Sequence, residues 1–302
     1  MTRAASVRRA MSVGLVVVAL SVMARAQQDF SKVEITTTHV AGNVYMLQGE
    51  GGNIGVSAGP DGLLIVDDEF APLAEKIQAA LTQINPGKLK FVLNTHFHGD
   101  HTGANPHFGR QAPIIAHANV RKRLGGLKLL TKEGLPVVTF DESLSVHFNG
   151  EEIKVLHVPN GHTDGDSLIF FTGSNVVHMG DQFFSGRFPN IDLGSGGDVR
   201  GYIRNVEEAL KKIPADAKII PGHGPLSTIK ELTEFHEMLV GTAGFVEKQI
   251  AAGKTLEQVK AEGLPQQWKG WDKVPIRETR WLDILYRGLS RKPAAPVDGS
   301  KP

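Results

Sequence analysis

The sequence predicts an α/β fold in a single domain, on three observations. Short β-branched and aliphatic runs alternate with segments of helical period. Four of the predicted strands run directly into His- and Asp-bearing loops, and carboxyl ends of strands are where open α/β sheets bind ligands. No stretch of linker composition interrupts residues 27–290.

The N-terminal segment stands apart from this domain. Arg3, Arg8 and Arg9 precede an apolar run over residues 11–23, and Ala24-Arg25-Ala26 reads as a small-x-small cleavage site. The run is too short to span a bilayer comfortably. Residues 1–26 are therefore predicted to be a signal peptide cut after Ala26, with no stable membrane insertion afterwards and a periplasmic or secreted domain. A formal net charge of +1 gives no argument for nucleic acid. The chain has no cysteine, which excludes thiolate metal ligands, disulfides and a Cys nucleophile.

Residues 33–40 and 43–47 are β-rich, and 53–57 and 63–66 flank the hairpin signal Gly59-Pro60-Asp61-Gly62. Gly49-Glu50-Gly51-Gly52 reads equally as a mobile flap and as an ordinary loop. Asp67-Asp68-Glu69 ends a strand, either to brace a ligand histidine or as a charge cluster at a helix start. Leu73, Ile77, Ala80, Leu81 and Ile84 share one helix face over residues 72–84, and Pro86-Gly87 stops that helix. A strand at 89–93, a strand at 113–116, a helix at 117–124 and a basic loop at 127–134 follow. Residues 137–140, 143–148 and 151–158 read as a meander turning at Asn149-Gly150. Strands at 167–171 and 176–179 precede an amphipathic helix at 199–213 with Ile203, Val206, Leu210 and Ile213 inward. After a strand at 217–220 come helices at 228–252, 256–262 and 280–289, packed by Trp268, Trp271 and Trp281. Residues 291–302 are expected to form a flexible tail.

The chemistry concentrates in His96-Phe97-His98-Gly99-Asp100-His101. The i, i+2 spacing of His96 and His98 puts both on one side of an extended segment, and Gly99 lets the backbone turn towards Asp100 and His101. His162 in Gly-His-Thr-Asp-Gly-Asp, Asp181 in Met-Gly-Asp-Gln-Phe-Phe and His223 in Pro-Gly-His-Gly-Pro lie on other strand-end loops. Imidazole nitrogen and carboxylate oxygen are zinc ligands, and this density suggests more than one ion. His117 is a further candidate to line the site, whereas His157 and His178 read as core or supporting groups.

These four motifs resemble the metallo-β-lactamase superfamily across roughly residues 33–240. The resemblance implies a four-layer αββα sandwich with two mixed β-sheets and the metals at one edge. It places His96, His98 and His162 on a first metal, Asp100, His101 and His223 on a second, and Asp181 on both. Asp67 matches the acid behind the metal loop. The implied cofactors are two zinc ions, with iron or manganese as alternatives. Two such ions lower the pKa of a shared water to about 7 and so supply hydroxide at neutral pH. Asp100 and Asp181 are the catalytic candidates, Asp100 also as a group that orients the nucleophile or takes its proton.

The implied activity is extra-cytoplasmic hydrolysis of a small-molecule carbonyl compound (amide, lactam, ester or thioester), with β-lactams leading. Asp181 stands where B1 and B2 β-lactamases carry Cys, and the ligand set resembles that of glyoxalase II, lactonases and tRNA-processing nucleases. Export argues against the nuclease and the cytosolic thioesterase. Arg187 is a candidate to clamp a substrate carboxylate bidentately, or else a surface arginine. Lactonase, esterase or thioesterase activity, an iron-dependent oxidoreductase and a non-catalytic metal-binding accessory protein stay open as alternatives. Nothing in the sequence indicates the oligomeric state.

Overall fold

The computed structural model describes residues 29–128 and 130–291, so the expected signal peptide at 1–26 and the tail beyond Arg291 lie outside the described residues. Seven strands make the first sheet in sequence order: β1 (Thr36–Ala41), β2 (Val44–Gln48), β3 (Ile54–Gly59), β4 (Gly62–Val66), β5 (Leu89–Leu93), β6 (Ile114–His117) and β7 (Val138–Phe140). Its β1–β4 half is antiparallel and its β4–β7 half parallel. The second sheet runs β12-β11-β10-β9-β8, from β8 (Ser143–Phe148), β9 (Glu151–His157), β10 (Ser167–Phe171), β11 (Val176–His178) and β12 (Lys218–Ile220). Only its β11–β12 pair is parallel. The helices are α1 (Ala74–Ile84), α2 (Gly99–Thr102), α3 (Asn105–Phe108), α4 (Ala118–Gly125), α5 (Val199–Lys212), α6 (Ile229–Ala251), α7 (Leu256–Glu262) and α8 (Glu278–Leu289).

The period-2 alternation of strand residues sorts the side chains into layers. In β4, Leu63 and Ile65 face outward and join a cluster with Ile77 and Leu81 of α1. Leu64 and Val66 face the other way and pack with Ile153, Val155, Ile169 and Phe171 of the second sheet. That sheet's far side, through Leu168, Val177 and Ile219, packs beneath α5, α6 and α8. The layers are thus helix, sheet, sheet, helix, with two mixed sheets, as the resemblance implies.

Two elements differ from expectation. Residues 137–158 do not form one meander: β7 pairs in parallel with β6 of the first sheet, and the chain crosses between sheets before β8. The hairpin signal at Asn149-Gly150 is local, whereas the partner of a three-residue strand is decided by tertiary packing. Helix α5 is also turned from its expected face. It buries Val199, Tyr202, Val206 and Ala209, while Ile203 and Leu210 are only partly covered. The turn takes Tyr202 inward, where its hydroxyl donates to the Asp181 carbonyl at 2.7 Å.

Helix α8 closes the second helical layer with Trp281. The indole is fully buried, is stacked 5.8 Å from Phe188 and donates from Nε1 to Thr242 Oγ1 at 3.1 Å. Trp281→Ala is expected to cost about 3–5 kcal/mol, the usual range for removing a buried large aromatic. Urea denaturation measures it, and a loss below about 1 kcal/mol would contradict this packing.

Candidate metal centre

The ends of four strands from both sheets converge at one edge of the sandwich. After β5 the chain bends at Thr95 and His96 rather than staying extended, and His98 caps the single-turn helix α2, which carries Asp100 and His101. The sequence alone predicts a loop for this motif, whereas residues 99–102 form a helical turn. A four-residue helix has no periodicity to detect. The turn after β9 supplies His162, the turn after β11 supplies Asp181, and the turn after β12 supplies His223.

All seven expected ligand residues meet there, in two groups. His96, His98, His162 and Asp181 place ligand atoms within 4.8 Å of one another, and so do Asp100, His101 and His223. In the first group the inward nitrogens of His98 lie 3.1 Å from His96 and 2.8 Å from His162, and Asp181 Oδ2 lies 3.3 Å from His162 Nε2. In the second, His223 Nε2 lies 3.4 Å from His101 Nε2 and 3.3 Å from Asp100 Oδ2. Asp181 Oδ1 faces this second group, at 3.0 Å from His101 and 3.3 Å from His223. Asp181 therefore presents one oxygen to each group.

The outward ring nitrogens fix which nitrogen faces inward. His96 Nδ1 donates to Thr95 Oγ1 at 3.0 Å, and His98 Nε2 to Asp192 Oδ2 at 3.1 Å. His101 Nδ1 donates to Asp67 Oδ2 at 2.8 Å, and His162 Nδ1 to the Asn190 carbonyl at 2.8 Å. The inward nitrogens of His96, His98 and His162 are thus lone pairs pointed at one another. Lone pairs about 3 Å apart repel unless a cation lies between them. Two Zn–N bonds of about 2.0–2.1 Å at a tetrahedral angle separate their nitrogens by roughly 3.3 Å, so the donor set fits divalent metal such as zinc. Asp181 Oδ1 is buried and faces only the His101 and His223 imidazoles of the cluster, a position that a shared cation would fill.

Charge in the cluster follows the same division. Burial pushes His96 well below the ordinary imidazole range and His162 down to about 4, so both are neutral at pH 7. Burial also opposes charge on His101 and His223, but the facing Asp181 and Asp100 outweigh it. They raise His101 well above its ordinary range and His223 to about 9. Burial opposes ionisation of Asp181 as well, yet His101 and the other facing imidazoles hold it well below the usual carboxylate range. Asp100 is lowered to about 2 in the same way, chiefly by His101 against burial.

Asp67, Asp68 and Glu69 are all fully buried, so none of them is an exposed helix-start charge. Asp67 braces His101 and also accepts from Thr95 N at 2.8 Å and Thr95 Oγ1 at 2.7 Å. It holds a left-handed φ of 64°, a conformation non-glycine residues avoid unless the surroundings impose it. Glu69 accepts from Glu50 N and Gly51 N at 3.2 and 3.0 Å, so the glycine loop is pinned beneath the site and is not a free flap. A Cβ on Gly52 would sit 2.1 Å from His101 Cε1, and one on Gly222 would sit 2.2 Å from Asp181 Oδ1. Only glycine allows these two loops so close to the cluster.

Several supporting residues were not legible in the sequence. Asp192 is 94 positions from His98, and Asn190 acts through its carbonyl, so no local pattern announces either. Arg123 pairs with Asp164 at 2.6 and 2.7 Å and lies over the Phe97 ring, tying the first His loop to the second. Two residues held as candidates lie elsewhere, in keeping with their alternative readings as structural groups. Arg187 is not among the residues lining the metal cleft, and its Nη1 donates to the Val274 carbonyl at 3.4 Å. His117 is not among them either, being stacked on His157 at 3.8 Å. The cleft itself holds about 380 Å³, with Phe70, Phe184, Pro275 and Ile276 as its apolar wall.

An αββα sandwich with a His/Asp cluster at one edge defines a metal-binding α/β protein. Comparison with known proteins gives the family. The sequence profile described as "Metallo-beta-lactamase superfamily" matches residues 37–223, and the chain belongs to that superfamily. It is 31% identical over 156 residues to a hydroxyacylglutathione hydrolase of Nitrosococcus oceani, covering 50% of this chain and 55% of that protein. It is 22% identical over 181 residues to a metallo-beta-lactamase type 2 of Bacteroides fragilis, covering 54% and 68%. The chain spans about half the length of the first of these relatives. A solved metallo-beta-lactamase from Pontibacter korlensis superposes with a TM-score of 0.61 at 16% identity, covering 68% of this chain and 99% of that one, which shows a shared fold.

Asp67 and Asp192 hold ligand imidazoles from behind. Replacing either by Ala is expected to weaken zinc binding about 10- to 100-fold, the usual effect of removing a group that orients a ligand. Competitive titration against a chromogenic chelator measures it, and unchanged affinity in both variants would contradict the assigned hydrogen bonds.

Proposed function

We propose that this protein is an exported binuclear zinc hydrolase that cleaves an acyl bond of a small molecule, with thioesters and esters ahead of β-lactams. The observation that carries this reading is Asp181, which offers one oxygen to each of two ligand groups at the floor of an open cleft. His96, His98 and His162 would hold the first ion, Asp100, His101 and His223 the second, and Asp181 would serve both. When bound, two zinc ions would supply a hydroxide source near neutral pH and Lewis acidity for the carbonyl. Iron or manganese suits the same oxygen and nitrogen donors.

The chain's own residues do the rest. Asp181 is buried and ionised, a fixed negative charge facing both ligand groups. Asp100 is 29% exposed to the cleft against 5% for Asp181, so it is the carboxylate placed to orient the nucleophile and take its proton. Phe70, Phe184, Pro275 and Ile276 shield the reacting carbonyl from water and receive an apolar acyl group. Among the described residues no Lys or Arg lines this cleft, so the carboxylate of a β-lactam finds no lysine or arginine partner in it. The stronger likeness to hydroxyacylglutathione hydrolases, 31% against 22% for a metallo-beta-lactamase, favours thioesters in the same direction. β-Lactam hydrolysis is the second reading, supported by the match across 68% of the Bacteroides fragilis enzyme.

The extra-cytoplasmic address rests on the basic and apolar segment before Gln27. Residues 27–290 are read as one catalytic domain. Among the described residues no helix is long and apolar enough to cross a membrane.

Metal analysis of the purified mature protein alongside a panel of thioesters, esters, lactones and a cephalosporin tests the proposal. About two zincs per chain and chelator-sensitive turnover are expected. His96→Ala should lose more than the roughly 100-fold typical of changes behind the ligands. Metal-independent turnover, or stoichiometric iron, would overturn it.

Acidification should separate the two ions. A group raised to about 9, as His223 is, binds protons in competition with metal throughout the neutral range, whereas His162 at about 4 does not. As pH falls from 7, the ion on Asp100, His101 and His223 is expected to leave first, and equilibrium dialysis should show a one-metal plateau. Simultaneous loss of both ions would contradict this ordering.

A further inference from the structure

A second cavity of about 440 Å³ lies beside the metal cleft, between α8 and the loop of residues 190–194, and Asn190 lines both. Arg280 and Arg287 line it from one face of α8, two helical turns apart, and Arg291 lines it from just past the helix end. The cations in it are in surplus. Arg280 Nη1, Arg287 Nε and Lys260 Nζ all converge on one carboxylate, that of Asp283, at 3.4, 2.9 and 3.5 Å. Arg291 spends one N–H on the Leu193 carbonyl at 2.9 Å. The other acid in the lining, Asp192, is occupied by His98 Nε2 and by the N–H groups of Gly194 and Ser195.

Each guanidinium carries five N–H donors and no acceptor. Contacts among the described residues use one on each arginine, which leaves most of the donors lining this cavity unused by those residues. Arg280 and Arg287 are 57% and 64% exposed, so a ligand reaches them from solvent. A planar fork of this kind matches the two oxygens of a carboxylate or phosphate. The metal cleft, by contrast, is lined by no Lys or Arg among the described residues.

We propose that the cavity between α8 and residues 190–194 is a binding site for an oxyanion, carboxylate or phosphate, held by Arg280, Arg287 and Arg291 next to the metal cleft. The oxyanion is either the charged end of a substrate whose acyl bond lies at the metals or a free anion. The loop that forms the shared wall also carries Asp192 and the Asn190 carbonyl, the partners of His98 and His162.

Inorganic phosphate titrated calorimetrically into the metal-loaded protein at low ionic strength tests this. The Arg280→Gln/Arg287→Gln double variant and, separately, Arg291→Gln should each bind phosphate at least about tenfold more weakly, with metal content unchanged. Arg291→Gln guards against a folding defect, since among the described residues that side chain bonds only the Leu193 carbonyl. Equal affinity in wild type and both variants, or no binding to wild type, would overturn the site, because phosphate held by the metals alone does not depend on these arginines. A pair of thioesters, one neutral and one carboxylate-terminated, separates the two sources. A KM raised only for the anionic one assigns the site to substrate, and unchanged KM for both, with phosphate binding lost, assigns it to a free anion. The phosphate titration needs no turnover, so it stands or falls separately from the hydrolase reading.

Discussion

The carboxylate of Asp181 is the constraint on which the rest depends. It is buried, ionised and divided between two groups of imidazoles, and its position answers to both sheets at once. The first sheet delivers His96, His98, Asp100 and His101 through the end of β5. The second delivers His162, Asp181 and His223 through β9, β11 and β12. The shared core between the sheets sets the separation of these ends. Tyr202 holds the Asp181 carbonyl from α5, and Asn53 ties the His223 loop to the first sheet by donating to the Pro221 and Gly224 carbonyls at 2.8 and 2.9 Å. Packing density in such cores leaves little slack. The cluster is therefore a property of the whole sandwich, although its residues sit on loops.

The part of the molecule that shapes the cleft differs from the part that builds the cluster. The family match ends at His223, whereas Pro275 and Ile276 of the apolar wall come from the segment before α8. That segment is fixed to the fold by Arg187 and by the Phe188–Trp281 stack. The ligand residues thus lie in the matched stretch, and part of the cleft wall comes from the segment beyond it. This is the general behaviour of folds that host many activities: the site decides function, and the fold supplies the frame.

The cluster was legible in the sequence because its residue types are rare together and their spacings are short. His96 to His101 announces itself within six positions, and the remaining three ligand residues follow predicted strand ends. The layers were legible through alternation and helical period, which gave β3, β4, α1 and α6 closely. The residues behind the ligands were not, apart from Asp67, because a hydrogen bond such as Asp192 to His98 joins positions that share no local pattern. The partner of β7 and the rotation of α5 were misread for the same reason. Period and propensity identify an apolar face, but Tyr202 wins the inward position of α5 through a hydrogen bond to a residue in another element.

Anomalous diffraction at the zinc edge from crystals of the metal-loaded protein locates the ions. Two peaks flanking Asp181 are expected, one among His96, His98 and His162 and the other among Asp100, His101 and His223. A single peak bound to one oxygen of Asp181, or none at this cluster, would contradict that arrangement.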